Sequence, residues 1–288
     1  MFFQLLIGGI AVGCIYSLIG LGFSLIYSAS SLMSFVQGEI FMLGAFVAFT
    51  LHISFRIPFL LSVVLTMAVM FLFGMLMERS MISPLLRRGS KQIHIVLATI
   101  GLSVFLQNFA MLLWGTNVKN FPSAFGERPF RIGSVSLIPQ QMAIIAITLL
   151  CMTGIHLFMT KTRLGTSLRA AAQDPMAAGV VGINVPLTIG LAWALAAALS
   201  AIAGILLAPI YGVYAKMGAL LSTKGFAAAV LGGYGNMYGA IIGGLLFGVV
   251  ETMAAGYLSS ALKDIISFGV LIAVLFVMPS GILRVKAD

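Results

Sequence analysis

Charge is what this chain has least of: 16 basic and 7 acidic side chains in 288 residues, 8% of the whole, where soluble proteins carry about 25%. So few charged groups cannot cover a globular enzyme, and a chain that is 61% apolar is equally unlike a disordered one. Cysteine is nearly missing. Cys14 and Cys151 both sit in apolar runs, where the thiol serves as a small packing residue, so neither a disulfide framework nor a metal site is expected. No Gly-x-x-x-x-Gly-Lys-Ser/Thr phosphate loop occurs, which excludes nucleotide hydrolysis by this chain. His52, His94 and His156 stand near the ends of three different apolar runs, with no His-x-x-x-His or His–Glu pairing. They read as polar residues at headgroup level, and no nucleophile–base pair is visible. No Lys or Arg precedes Arg56, so the basic leader of a cleavable signal is absent and the first apolar run is expected to remain.

What is abundant is apolar sequence in long runs. A helix needs about 20 residues to cross a bilayer, so about eight crossings use some 160 residues and leave no room for a soluble domain. The expectation is an all-α polytopic membrane protein of about eight transmembrane helices, one domain over residues 1–288. The runs place spans at about Phe3–Tyr27, Leu32–Ile53, a third from the turn at Arg56 and Pro58 to Met77, Ile93–Trp114, Gln141–Met159, a sixth ending near Ile210, and a last one at Ile265–Met278. Glu78–Gln92 and Lys161–Pro186 read as charged loops, and Gly115–Gln140, with Pro122, Pro129 and Pro139, as the longest polar stretch. The net charge of +9 is scattered, which fits loops facing anionic headgroups rather than a nucleic-acid surface. Putting Arg79, Arg87, Arg88, Lys91, Lys161, Arg163, Arg169, Arg284 and Lys286 on the cytoplasmic side gathers a small majority of the basic residues there, the side that the positive-inside rule prefers.

Lys224–Leu258 is apolar for too long to be one straight crossing, and Gly232, Gly233, Gly235 and Gly239 cluster within it. Each glycine costs a helix about 1 kcal/mol, so two half-length or tightly turned segments are expected, broken around 232–239 beside Asn236. Such a break at membrane depth must be buried or line a cavity. Two acids lie inside apolar sequence: Glu39, in Gln37-Gly38-Glu39, and Glu251. A charge at the bilayer centre costs several kcal/mol and usually has a function; the alternative is an acid paired with Lys or Arg. Gly239-x-x-x-Gly243, Gly244-x-x-x-Gly248 and Gly8, Gly9, Gly13, Gly20 and Gly22 of the first span predict close helix packing.

The loop Arg163–Asn184 carries its own design. Ser167–Gln173, with Arg169 and Ala170, reads as a short helix. Asp174-Pro175 then starts a second through Ala177 and Ala178, the carboxylate capping free N–H groups and the proline fixing the first turn. Gly182 with Asn184 is expected to end it. Two short helices at an elbow make a rigid knob outside the membrane.

This loop resembles the coupling loop of ABC-importer permeases for branched-chain amino acids, the LivH type, in Arg169-Ala170…Asp174-Pro175…Ala177-Ala178…Gly182-Ile183-Asn184. Ser34–Ala45 resembles that family's Asn-Phe-Ala-His-Gly-Glu…Leu-Gly-Ala block, with Gln37 in place of the usual His. Lys224–Gly235, Gly243-Gly244 and Pro279-Ser280-Gly281 resemble its C-terminal pattern, with Gly225 and Met278 as departures from Ala and Arg. The resemblance implies a permease of the bacterial inner membrane, without a catalytic site or cofactor of its own. Its partners would be a homologous LivM-like permease, two LivG/LivF-like subunits that bind ATP and magnesium, a periplasmic or extracellular substrate-binding protein, and membrane lipid. It also implies a cytoplasmic coupling loop over 161–186, with Ser167, Arg169, Ala170, Asp174, Pro175, Ala177, Ala178, Gly182 and Asn184 as its residues. Candidates for the path are Gln37, Gly38, Glu39, Gly232, Gly233, Gly235, Asn236, Gly239 and Glu251. The alternatives are a urea or short-amide permease of the same class, or a proton-coupled secondary transporter using the two acids.

Overall fold

The structure, a computed structural model, describes residues 2–126, 130–132 and 135–283. Among the described residues twelve α-helices run in the order α1 (Phe2–Ser30), α2 (Gln37–Phe49), α3 (Phe59–Met77), α4 (Ser83–Arg87), α5 (Gln92–Trp114), α6 (Pro139–Lys161), α7 (Arg163–Gln173), α8 (Pro175–Val180), α9 (Val185–Tyr211), α10 (Met217–Gly232), α11 (Met237–Tyr257) and α12 (Lys263–Val277). A hairpin of three-residue strands, β1 (Phe130–Ile132) and β2 (Val135–Leu137), lies in the polar stretch before α6. Pro129, Arg284 and Lys286 lie outside the described residues.

Seven helical stretches among the described residues are long and apolar enough to cross a membrane. The other two apolar helices, α10 and α12, have 16 and 15 residues, about 24 and 22 Å at 1.5 Å per residue, short of a hydrocarbon core of about 30 Å. The glycine break falls where expected, at Gly233–Asn236, but its two arms are unequal: α10 is short, whereas α11 is a full crossing of 21 residues. The second span starts at Gln37 and not at Leu32: Ser31 adopts φ 54°, and residues 32–36 form no helix. Glu78–Gln92 is not a loop from its start. The third helix carries on through a π-helical turn at Glu78–Ile82 into α4, with Glu78 buried.

The core sits where side chains are smallest. α1 and α9 form its centre, and α11 closes it. A methyl carbon on Gly13 would stand 2.8 Å from Leu245 Cα, and one on Gly9 2.9 Å from Val249 Cα, so α1 and α11 approach at a distance only glycine allows. α9 brings an alanine-rich face to α1, α2 and α3. Apolar side chains of α3, α5, α6 and α12 face outward, among them Leu60, Leu112, Leu150 and Phe276, as lipid or a second membrane subunit requires.

Candidate functional site

At one end of the bundle α7 and α8 form the elbow. Thr162 caps α7 by accepting from the Gly165 N–H, which lengthens that helix to Arg163–Gln173 from the expected Ser167 start. Leu168 and Ala171 are buried beneath it. Asp174 Oδ1 accepts from Met176 N–H at 2.8 Å and Ala177 N–H at 3.0 Å, with Pro175 at the first helical position. Gly182, at φ 88°, ends α8, while Asn184 does not help end it: its side chain caps the start of α9 by accepting from Leu187 N–H. Arg169, Asp174, Pro175, Ala177, Gly182 and Asn184 are exposed, Ser167 and Ala170 half-buried, and Ala178 is turned inward. Composition gave no hint that Met176, Val180 and Val181 would stand 82%, 85% and 76% exposed at the tip. Beside them a groove of about 450 Å³ runs between α1, α4, α7 and α9, with Ser30, Glu78, Ser83 and Gln173 on its walls.

The glycine break lies at this same end. The Ser28 hydroxyl donates to Gly235 O at 2.7 Å, and the Tyr27 and Tyr234 rings meet at 4.7 Å. Gly232 and Gly239 are in backbone contact, so neither tolerates a side chain. Asn236 Oδ1 accepts from Tyr238 N–H and Gly239 N–H, and Gly233 N–H donates to Val230 O. These donors are spent inside the chain and are not free for a substrate carboxylate.

Irregular backbone also occurs between α1 and α2, where residues 31–36 form a non-helical link with bends at Ser31 and Phe35. Gln37, Gly38 and Glu39 follow, packed against the first turns of α10: a methyl carbon on Gly38 would overlap Gly218 O and Ser222 Cβ. Gln37 Nε2 donates to Ala196 O at 2.8 Å and to Ser200 Oγ at 2.6 Å. Glu39 is 2% exposed. Ser103 Oγ of α5 donates to its Oε1 at 3.3 Å, and among the described residues neither Glu39 Oε2 nor Gln37 Oε1 has a hydrogen-bond partner. Nearby on α5 and α10 the polar side chains Gln107, Asn108, Ser222 and Thr223 are half-buried or exposed. Polar side chains within membrane-spanning helices rarely face lipid, which fits a face turned to protein or water.

Glu251 is treated differently. Its Oε2 accepts from the Tyr16 hydroxyl at 2.8 Å, and its Oε1 is 2.5 Å from Lys224 Nζ and 3.6 Å from Lys263 Nζ. Lys224 also reaches Asp264 at 2.8 Å. Two cations and two anions from α10, α11 and α12 thus form a neutral cluster. Sequence spacing singled out Glu251 alone, because its partners lie on other helices.

Among the described residues no three His, Cys, Asp or Glu side chains gather where a metal ion could be held. His52 bonds Ile57 O at 2.8 Å and His156 the Tyr238 hydroxyl at 2.6 Å, far apart in the chain. The site therefore offers packing, dipoles and a few fixed charges.

Residues 5–275 match a family model described as the branched-chain amino acid transport system permease component. The chain is 36% identical, over 98% of its length and 95% of the relative's, to the high-affinity branched-chain amino acid transport system permease protein LivH of Salmonella typhimurium. It is 37% identical to the permease protein BraD of Pseudomonas aeruginosa, with the same coverage of both chains. A probable branched-chain amino acid transport permease of Methanocaldococcus jannaschii is 29% identical over 97% of this chain and 91% of its own.

Proposed function

The chain belongs to the permease-component family of branched-chain amino acid transport systems, and on that premise we propose that it passes branched-chain amino acids through the membrane by alternating access, as one subunit of an ATP-driven importer. It is a multi-pass membrane protein, in bacteria of the inner membrane. In this reading the elbow faces the cytoplasm and docks on one of two subunits that bind ATP and magnesium. A second, homologous permease completes the membrane unit, and a soluble receptor delivers the substrate from outside. This chain needs no cofactor of its own.

The observation that carries the reading is the elbow tip. Met176, Val180 and Val181 expose large apolar surface on a helix that Asp174 and Pro175 start and Gly182 stops, and such surface outside a membrane marks a protein contact. Because Leu168 and Ala171 bury the other face of the elbow against the bundle, a push on the tip moves α1, α6 and α9 with it. ATP shifts the bundle by binding one state of the nucleotide subunits better than the other. The path follows the polar face at Gln37, Gly38 and Glu39, flanked by Ser103 and Ser222; Gly232, Gly233, Gly235, Asn236 and Gly239 hold the turn that positions α10 beneath it.

Reconstitution tests this. The chain, a homologous permease, two ATP-binding subunits and the leucine-loaded receptor in proteoliposomes are expected to take up leucine only with ATP. Uptake driven by a proton gradient without the ATP-binding subunits would contradict the proposal, and uptake of urea but not leucine would move it to the urea-permease alternative.

A further inference from the structure

The charged cluster around Glu251 borders two adjoining cavities at the end of the bundle opposite the elbow, of about 190 and 220 Å³, and both are lined by Glu251 and Lys263. The four charges are not equally engaged. Lys224 and Glu251 are a buried pair with side chains 12% and 6% exposed, and the Tyr16 ring lies 5.9 Å from Lys224 Nζ. Lys263 and Asp264, on the first turn of α12, are 32% and 53% exposed, and Lys263 stands 3.6 Å from Glu251, its one ion-pair partner among the described residues. The cluster thus presents its more exposed ammonium, Lys263, and its more exposed carboxylate, Asp264, to the cavities, with the buried Lys224–Glu251 pair behind them in the wall. The rest of that wall is mostly apolar, with Val12, Leu207, Leu220 and Leu221 beside the rings of Tyr211 and Tyr214. α10 and α12 are short, so this region lies in a recess below the far end of the bundle.

We propose that this recess is a binding site for a zwitterion with an aliphatic tail, holding the free α-amino acid between its delivery and its passage. This rests on the reading of the chain as an amino-acid permease and names where on the chain the substrate's head is recognised. Lys263 takes the α-carboxylate and Asp264 the α-ammonium, while Leu220 and Leu221 receive the side chain. The electrostatics favour a zwitterion over an ion. The cluster is neutral, so a neutral ligand carrying both charges exchanges partners with it and leaves no unpaired charge in low dielectric, whereas a simple amine or acid leaves one. An ethanolamine phospholipid headgroup presents the same pair of charges, an ammonium and a phosphate, and is the other source of this chemistry.

Photo-leucine, a leucine carrying a diazirine, separates these cases. The purified complex is labelled without ATP in nanodiscs of phosphatidylglycerol, and labelled peptides are mapped. Expected is labelling of the peptide that holds Leu220 and Leu221. Excess leucine should reduce it at least ten-fold, whereas isoamylamine and 4-methylpentanoate, which keep the tail and one charge each, should not. Lys263→Met and Asp264→Asn should each lower labelling at least five-fold. The proposal is overturned if a complex that imports leucine with ATP shows no labelling there, or if all three competitors protect equally. Protection by added phosphatidylethanolamine with none by leucine also overturns it and makes the recess a lipid site. A wild-type complex that imports no amino acid sinks the permease reading itself, and the inference with it.

Discussion

Glu39 and Glu251 are buried alike, 2% and 5% exposed, yet the chain treats them in opposite ways. Glu251 is wrapped by the Tyr16 hydroxyl, Lys224 and Lys263; Glu39 has one long hydrogen bond from Ser103 and an oxygen with no partner among the described residues. Burying a charge costs several kcal/mol unless it is paired. The region around Glu251 offsets that cost with a neutral cluster, and the region around Glu39 leaves the group in waiting. Glu251 therefore holds α1, α10, α11 and α12 together, and Glu39 is available to something that passes.

The largest effect that sharpens this contrast is expected from Lys224→Ala. Removing one member of a buried pair costs about 3–5 kcal/mol, so the purified protein should lose a large part of its thermal stability. Lys224→Met combined with Glu251→Gln removes both charges, leaves the Tyr16 hydroxyl an acceptor, and should recover most of the loss. Thermal unfolding in detergent reads both; equal losses in the single and double variants would break the comparison. Next is Gly13→Leu, which forces α1 away from α11 at a point where Leu245 leaves no room for a methyl group. Overpacking costs about 1–3 kcal/mol or more, and its signature is poor assembly whatever the state of the charges. Asp174→Ala removes the cap of α8 at a cost of about 1 kcal/mol, with weaker ATPase stimulation but normal membrane insertion. The smallest change in stability, under about 1 kcal/mol, is expected for Glu39→Gln, since no ion pair is broken. Here uptake should fall although the fold is unchanged, and normal uptake would return Glu39 to the role of filler.

How far these contrasts were legible follows from what periodicity can see. Apolar runs and breakers act within one helix, so α5, α9, the turn at Arg56, the elbow with its Asp174 cap and the break at Gly233–Asn236 could all be read. The irregular link 31–36 could not. Leu32, Met33 and Val36 are as apolar as a helix would want, and what holds the segment open lies elsewhere in the chain: Gln92 donates to Ser31 O, Thr99 Oγ1 accepts from Phe35 N–H, and Gln37–Glu39 pack against α10. The charge of Glu78 marks it as the edge of a loop, but it stays helical, buried at 5% exposure. Glu251 could be singled out but not understood, since Tyr16 is 235 positions away and Lys224 is 27. Met176, Val180 and Val181 looked like ordinary helix residues until the fold turned them outward.

The central claim, that partner ATPases move this bundle through the elbow tip, is tested most directly by cysteine cross-linking at Met176→Cys and Val180→Cys in a background without Cys14 and Cys151. The account predicts that both positions, reachable from the cytoplasmic face, join to an ATP-binding subunit in a nucleotide-dependent way. Labelling from the exterior alone, or no cross-link to such a subunit in a complex that transports, would contradict it.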